Sequence, residues 1–561
     1  MSDFRYIFTT TDCGETIQAR NLDTIHPSLI AFDKNNENVF LIHDLESPEK
    51  RLHVTRTFGQ TFDQVQDYVR NFFFSKVDLG SKLFIERIQP LEEGQTEKDR
   101  RVTILAADNF FERKIDVEVV YRNAVQFQLL GDFMFVTKYR NEDDKEHMDL
   151  FISVHGERFV QARFPFSESK NFTHLDYHII DVTDEGQIMV IVNHGPVISH
   201  LYTSTRMTPY EAEFSLSLER VMFYNPNVTW HDSWLAATAG DEPFADVYKI
   251  QGLRGIYVAS QIVNTNEDSR MIEPKNLQTK ISFDQGAVWI PIKGPKTDEE
   301  GRDFTDCLDA DYRCNLHLSQ QLSSKFPITR SIPILTSKNA IGIVMASGNM
   351  GQTLTQKNNV FVSADAGLSW HQVLKGSYFY NLGDHGGIIV AVKYFKTEGP
   401  TNELLYSTDE GLNWKSLKFY DKPLRVYGLL TEPGENTTAF TVFGTEHGVQ
   451  GVDWIIVTID LKSVFERECT VEDYKRWSPN DNTKGKHRYC LLGRKEIYER
   501  RMVKSNCYNG RDYERLISVE NCLCQMNDFQ CDFGFKRYLT EKNFLSEILV
   551  LMGQKLLWTS K

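Results

Sequence analysis

Ser363-Ala364-Asp365-Ala366-Gly367-Leu368-Ser369-Trp370 and Ser407-Thr408-Asp409-Glu410-Gly411-Leu412-Asn413-Trp414 carry one pattern, Ser-x-Asp-x-Gly-x-x-Trp. A third copy is Ser282-Phe283-Asp284-Gln285-Gly286-Ala287-Val288-Trp289. The pattern is an Asp box, and its chemistry is that of a hairpin turn. The carboxylate accepts hydrogen bonds from nearby backbone amides, and the glycine takes a positive φ that a Cβ would penalise. The aromatic ring is expected to pack between neighbouring sheets. Asp12, Asp284, Asp365 and Asp409 are therefore assigned structural rather than catalytic roles.

Looser copies extend the series towards the N-terminus. One begins at Thr10 and contains Asp12; another begins at Thr55 and has Thr57 where the Asp should stand. Degenerate copies begin at Ala106, Ser153 and Ser204. Most starts are 44 to 51 residues apart, the length of a four-stranded propeller blade. Two longer intervals read as one unit plus an insertion of about 30 residues each.

Between the boxes lie short apolar runs rich in β-branched residues: Phe133–Thr137, Ile188–Val192, Gly255–Ala259, Ile341–Met345 and Gly387–Val392. They read as inner strands buried on both faces. A closing unit follows the last box, with runs at Val426–Leu430, Ala439–Phe443 and Trp454–Ile459. Eight boxes and this unit give about nine blades, an all-β propeller. Helical periodicity is rare; His317–Ser324 reads as a short helix in an insertion. Strand-like runs are expected to stop after Asp460. The apolar tail segments Ile548–Met552 and Leu556–Trp558 are too short to span a bilayer and read as an amphipathic helix or as sequence foreign to the fold.

The chain has 561 residues, 41% hydrophobic and 25% charged, with a net charge of −14. These are globular values, and the acidic balance argues against a nucleic-acid partner. No apolar leader follows Met1 and no run reaches a membrane-spanning length, so neither signal peptide nor transmembrane segment is expected. The cysteines point to an oxidising compartment instead. There are nine, six of them between Cys469 and Cys531. Cys307 and Cys314 are spaced for a local disulfide rather than a metal site, and no metal or other cofactor is expected. Three N-glycosylation sequons, at Asn171, Asn227 and Asn436, agree with that compartment. The combination suggests an incomplete chain.

The cysteine-rich region carries the most specific signal: Cys469-Thr-Val-Glu-Asp-Tyr474, Trp477-Ser-Pro479, Cys490-Leu-Leu-Gly493, Cys507-Tyr-Asn-Gly-Arg-Asp-Tyr513, Cys522-Leu-Cys524 and Cys531-Asp-Phe-Gly-Phe535. It resembles the ten-cysteine module of the Vps-ten sorting receptors, the sortilin family. Leu382-Gly-Asp-His-Gly-Gly-Ile-Ile-Val390, Tyr427-Gly-Leu-Leu-Thr-Glu-Pro-Gly434 and Glu242-Pro-Phe-Ala-Asp246 look most like its sortilin-related members. The resemblance implies a ten-bladed propeller over residues 1–465 that lacks an N-terminal blade. A partial ten-cysteine module over 466–538 and a non-family tail over 539–561 would follow. It implies the disulfides Cys469–Cys507 and Cys490–Cys522, and leaves Cys13, Cys524 and Cys531 without an evident partner.

The implied function is that of a receptor, a membrane-anchored glycoprotein when full length. It would bind peptides, neuropeptides, proproteins, and amyloid-precursor-like or lipoprotein-type ligands in the propeller tunnel. It would carry them between Golgi, endosome and cell surface, with endocytosis and cytosolic adaptors at the membrane. Within the family a Ser and an Arg hold a peptide's C-terminal carboxylate; the matching positions here are Thr137 and, near an apparent insertion, Lys145. Lys supplies charge without a bidentate fork. Arg254 and Tyr257, beside an expected inner strand, complete the candidate ligand-binding set. His385 and His155 are candidates for pH sensing.

The rival reading is a sialidase-like glycoside hydrolase, since sialidases also carry Asp boxes. Such an enzyme needs an arginine cluster, a Tyr nucleophile with its Glu, and an acid/base Asp. Phe326-Pro-Ile-Thr-Arg330 has the wrong order and place for its N-terminal motif, and the six module cysteines have no role in it. The chain is expected not to be an enzyme. A soluble decoy or scaffold would share the same fold.

Overall fold

The computed structural model describes residues 6–12, 15–22, 24–33, 36–75, 82–91, 94, 96, 100–108, 110, 117–141, 147–165, 173–195, 197–226, 239, 243–263, 272–304, 314–325, 333–355, 358–432, 436–446, 453–479, 493–510, 516–523, 535–539, 545–549 and 556–558. Among these residues the structure is nearly all β, with two short α-helices, Gln321–Lys325 and Phe395–Glu398. No helix among them is long and apolar enough to cross a membrane. The chain divides into two compact units. The first comprises residues 1–167, 173–190 and 204–214, and the second 168–172, 191–203 and 215–561.

Four-stranded antiparallel sheets with strands in sequence order recur along the chain. Five stand as separate sheets: Leu29–Phe32 through Asp63–Gln66, Val69–Phe74 through Glu118–Ala124, Val247–Lys249 through Ile290–Pro291, Asn315–Leu318 through His371–Leu374, and Tyr378–Gly383 through Lys415–Lys418. Two more, Gln126–Leu130 through Val160–Arg163 and Asp176–Val182 through Ala212–Leu218, form one sheet of eight strands. They join where Ala162 and Arg163 pair in parallel with Ala212 and Glu213. The sheet Leu424–Thr431, Ala439–Glu446 and Trp454–Asp460 has three strands.

Burial differs between the strands of a sheet. Ile388–Lys393 is a second strand, paired on both sides and buried at every position but the last. Third strands alternate more, as in Leu277–Ser282. Of the fourth strands, Lys415–Lys418 is exposed throughout, whereas Ala212–Leu218, inside the sheet of eight, is buried at all but one position. The five apolar runs that precede the closing unit fall, wholly or in part, on second strands, interior to their sheets: a strand hydrogen-bonded on both sides and packed on both faces selects an unbroken apolar run. Packing between successive sheets supplies the core. Val360, Val362, Tyr380, Leu382, Ile389 and Ala391 form one such layer, and each fully buried aliphatic side chain there stabilises by about 1.5–3 kcal/mol.

Four local expectations change. His317 and Leu318 belong to the strand Asn315–Leu318, paired with residues 348–351, and the helix starts at Gln321. Ser204 lies inside the strand Ile198–Met207, where its Oγ accepts the Ile188 N–H at 2.9 Å, so it starts no turn. Strands also continue beyond Asp460. Arg494–Arg501 pairs with Tyr474–Trp477 and Leu516–Asn521. The described residues of the tail form strands, Leu545–Leu549 and Leu556–Trp558, and the first of these pairs with Phe535–Leu539; residues 550–552 of the apolar run lie outside the described residues.

Candidate functional site

The turn signatures are closed by one bonding scheme. In each, the Ser or Thr hydroxyl accepts the glycine N–H: Ser282 from Gly286 at 2.8 Å, Ser363 from Gly367 at 2.8 Å, Ser407 from Gly411 at 2.9 Å and Thr55 from Gly59 at 2.9 Å. The Asp carboxylate accepts the N–H four residues on, from Val288 at 2.9 Å, Ser369 at 2.8 Å and Asn413 at 2.9 Å. Thr57 Oγ1 does the same for the Thr61 N–H at 2.9 Å. A hydroxyl thus replaces the carboxylate without loss of the turn. Phe58–Gly59, Gln285–Gly286, Ala366–Gly367 and Glu410–Gly411 all have two successive positive φ values, the backbone of a tight hairpin. At Gly367, φ is +94° and a Cβ would stand 2.7 Å from Ile281 Cδ1. Asp12 makes the same contact with Thr16 at 2.8 Å. Hydrogen bonds from the Thr16 side chain and backbone hold its carboxyl down at about 2.

Thr137 and Tyr257 both lie on second strands and are buried, with exposures of 5% and 0%. Thr137 Oγ1 has no hydrogen-bond partner among the described residues. Arg254 sits in the turn before Tyr257, close to Tyr498, whose hydroxyl donates to the Gly252 carbonyl at 3.4 Å and to Glu496 at 2.7 Å. Burial and the Glu496 bond push the Tyr498 pKa up, and the Arg254 charge opposes them. Lys145 lies outside the described residues. His155 is exposed in a turn, its Nδ1 2.9 Å from Asp132. His385 is buried, with φ of 56° beside Asp384 at 47°.

His385 belongs to a junction that sequence reasoning did not connect. The signature Leu382–Val390 meets residues 507–510 of the signature that begins at Cys507. Asn509 N–H donates to both carboxylate oxygens of Asp384 at 3.0 Å, and its side-chain amide donates to the Asp384 carbonyl at 2.8 Å. Gly510 N–H adds a bond at 3.2 Å. Two successive left-handed non-glycine residues are costly, and this network holds them. Cys507 is joined to Cys469 by a disulfide.

Next to it, Arg500 and Arg501 are almost fully buried on the box turns. Arg500 donates to the Ala364 carbonyl at 2.5 Å and to Glu410 at 2.6 Å, touching two successive turns, and stacks on Trp477. Arg501 donates to the carbonyls of Thr408, Gly387 and Cys507. Its pKa is lowered by burial, which Asp384 and Glu410 partly offset. Gly342 has φ of +79°, and a Cβ there would meet the Trp477 ring at 2.7 Å. The strand Arg494–Arg501 was missed in the sequence because six of its eight residues are charged. Carbonyls and Glu410, supplied from other parts of the chain, make their burial tolerable.

Cys314 and Cys522 are disulfide-bonded; Cys307, Cys490, Cys13, Cys524 and Cys531 lie outside the described residues, as do Asn171 and Asn227. Asn436 is half-buried. Cys469, Asp473 and Cys507 approach one another closely enough for a metal, but both sulfurs are in the disulfide. Asp473 is held by Arg467 at 2.6 Å.

The feature best suited to a ligand is the three-stranded sheet ending at Asp460. Among the described residues no strand pairs with the outer side of Trp454–Asp460. Its open face carries Trp454 at 58% exposure, Ile456 at 71% and Leu430 at 55%. Tyr427 and Phe443 extend this row, their rings 5.1 and 6.3 Å from Trp454. Exposed apolar side chains beside unpaired backbone groups suit capture of an extended chain.

Comparison with known proteins agrees with the sequence signatures. Residues 1–429 match the Sortilin-Vps10 family model, described as sortilin, neurotensin receptor 3. Residues 431–548 match its C-terminal counterpart, which runs past the expected limit at Tyr538. The sortilin-related receptor of Homo sapiens is 34% identical over 543 residues, covering 95% of this chain and 23% of that protein. Sortilin of Rattus norvegicus is 28% identical, covering 88% of this chain and 54% of that protein. The VPS10 domain-containing receptor SorCS1 of Homo sapiens is 32% identical over 69% of this chain and 30% of its own length. A solved xyloglucanase from Xanthomonas campestris covers 79% of this chain and 68% of its own at 10% identity, with a TM-score of 0.23, too low to bear on fold or activity. The chain spans about a quarter of the length of the sortilin-related receptors it matches, and it belongs to the sortilin family of Vps10 sorting receptors.

Proposed function

We propose that this chain is the ligand-binding ectodomain of an endocytic and intracellular sorting receptor. It captures peptides and extended segments of proproteins on the lumenal side, for transfer between Golgi, endosome and cell surface. Its four-stranded sheets are the blades of a propeller of the ten-bladed type, and residues 466–538 form the cysteine-rich module that follows. Its role is binding rather than catalysis; the box carboxylates are consumed by turn hydrogen bonds.

The observation that carries this reading is the open strand Trp454–Asp460, with Trp454 and Ile456 exposed beside it. An extended ligand adds there as a strand: its backbone takes the free hydrogen bonds and its alternate side chains meet the apolar row. The test is retention of extended apolar peptides by the immobilised chain at neutral and mildly acidic pH. Retention that is lost in Ile456→Lys supports the reading. No retention at either pH overturns it.

A further inference from the structure

The strand Trp454–Asp460 is polarised along its length. Exposed and half-buried residues alternate from Trp454 to Asp460, so Trp454, Ile456, Thr458 and Asp460 share one face. Register fixes their neighbours on it: Thr445 is opposite Trp454, Phe443 opposite Ile456, Thr441 opposite Thr458 and Ala439 opposite Asp460. On the next strand Leu430 is opposite Thr441 and Arg425 opposite Thr445. The face is therefore apolar around Ile456, cationic in the corner beyond Trp454 and anionic at Asp460.

Asp460 has a carboxylate oxygen to offer. The Thr438 hydroxyl at 2.5 Å and the Lys462 N–H at 2.9 Å both donate to Oδ1. Among the described residues Asp460 forms no ion pair. The Lys462 ammonium is turned to the Tyr508 ring, 4.7 Å from its centroid. Glu432 follows the strand Leu424–Thr431 at the same end of the sheet and adds negative charge. Charge at the Trp454 end is mixed: Glu446 pairs with Lys422 at 2.9 Å, Arg425 is exposed, and Asp453 precedes the strand.

We propose that the extended segment captured here is apolar where it meets Ile456 and basic four residues away, where it meets Asp460. This charge and spacing rest on the capture reading above and go beyond it by naming the ligand class. Four residues of strand span about 13 Å, and an even spacing keeps both side chains on one face whichever way the added strand runs. Opposite charges attract across paired strands and like charges repel. A lysine or arginine opposite Asp460 is therefore favoured, and an acidic residue there is disfavoured. Asp460 sets specificity, while the apolar row supplies the contact area.

The test uses the immobilised full chain at neutral pH and low salt, with three synthetic threonine-rich peptides of one sequence. Each carries a leucine and, four residues on, a lysine, a glutamine or a glutamate. The lysine peptide is expected to be retained about two- to fivefold more strongly than the glutamine peptide, and the glutamate peptide least. The difference should shrink in about 1 M salt. A lysine placed five residues from the leucine falls on the other face and should lose the advantage. Asp460→Asn keeps Oδ1 as an acceptor for Thr438 and Lys462 and should remove most of the difference. Equal retention of the three peptides by the parent chain overturns the proposal and leaves the capture reading standing. So does a lysine preference that is undiminished in Asp460→Asn, or that is the same at a spacing of five residues. Retention of none of the peptides overturns both.

Discussion

The Asn509 N–H donates to both carboxylate oxygens of Asp384 at 3.0 Å, from a position 125 residues further along the chain. The acceptor sits at φ of 47°, a backbone that a side chain makes costly, and the donor lies two residues after the disulfide-bonded Cys507. Two stretches that read separately in the sequence therefore form one lock.

Asp384→Ala leaves the Asn509 and Gly510 amides without acceptors. It is expected to cost roughly 2–4 kcal/mol, with increased proteolytic cleavage near residues 507–510. Asp384→Asn retains shape but faces N–H donors with an uncharged group and should cost less. Equal stability of Asp384→Ala and the parent chain would show that the lock contributes nothing.

Arg501→Lys is not conservative. The guanidinium reaches three carbonyls, those of Cys507, Gly387 and Thr408, and an ammonium on a single stem cannot repeat that fork. A loss of about 2–3 kcal/mol is expected from chemical denaturation. Lys138→Arg, at an exposed position, serves as the surface comparison and should change stability by under about 0.5 kcal/mol.

His317 makes folding sensitive to acid. Its Nδ1 accepts the Thr279 N–H at 3.1 Å, and Nε2 donates to the Gly351 carbonyl at 3.1 Å. Burial lowers its pKa to about 4 from the usual 6.5. Between those values the unfolded chain takes a proton that the folded chain refuses, so stability present above 6.5 is lost as pH falls towards 4. The loss from this group approaches about 3 kcal/mol. His317→Asn keeps an acceptor for Thr279 and should flatten the dependence of melting temperature on pH in this window. Asp246 acts with the opposite sign, because its raised pKa favours the folded state at low pH and that contribution fades as pH rises through about 7.

Trp454→Ala and Ile456→Lys alter exposed side chains, so melting temperatures should stay within about 0.5 kcal/mol of the parent in equivalent stability. Peptide retention should fall about tenfold or more if the row is the contact surface. Unchanged retention in both variants would place the contact elsewhere.

Gly367→Ala puts a Cβ at φ of +94° and 2.7 Å from Ile281 Cδ1. A destabilisation of about 1–3 kcal/mol is expected. The same substitution at Gly301, where a Cβ meets nothing within 4 Å, should cost less and separates backbone strain from the steric clash.

The turns were legible because every bond that closes them lies within eight consecutive residues. Ser363 to Gly367 and Asp365 to Ser369 are local geometry, and even Thr57 can stand in for an Asp. The sequence signatures also sufficed for the family, and the second strands announced themselves as unbroken apolar runs. What an edge strand faces was not legible. Trp454–Asp460 alternates between exposed and half-buried residues, much as other strands do, and only the sheet shows that no strand among the described residues pairs with its outer side. Arg494–Arg501 looked like a solvated charged stretch because, apart from Cys507, the carbonyls that receive Arg500 and Arg501 come from residues roughly 90 to 140 positions away. Thr137, Arg254 and Tyr257 had plausible types for a ligand site, but burial in second strands and contact with Tyr498 are properties of packing. Sequence alone determined the turns, their cadence and the kinship, since those depend on neighbours along the chain. Tertiary structure decided which charges are buried and which backbone is left unpaired, since desolvation and hydrogen-bond satisfaction depend on what the rest of the chain brings alongside.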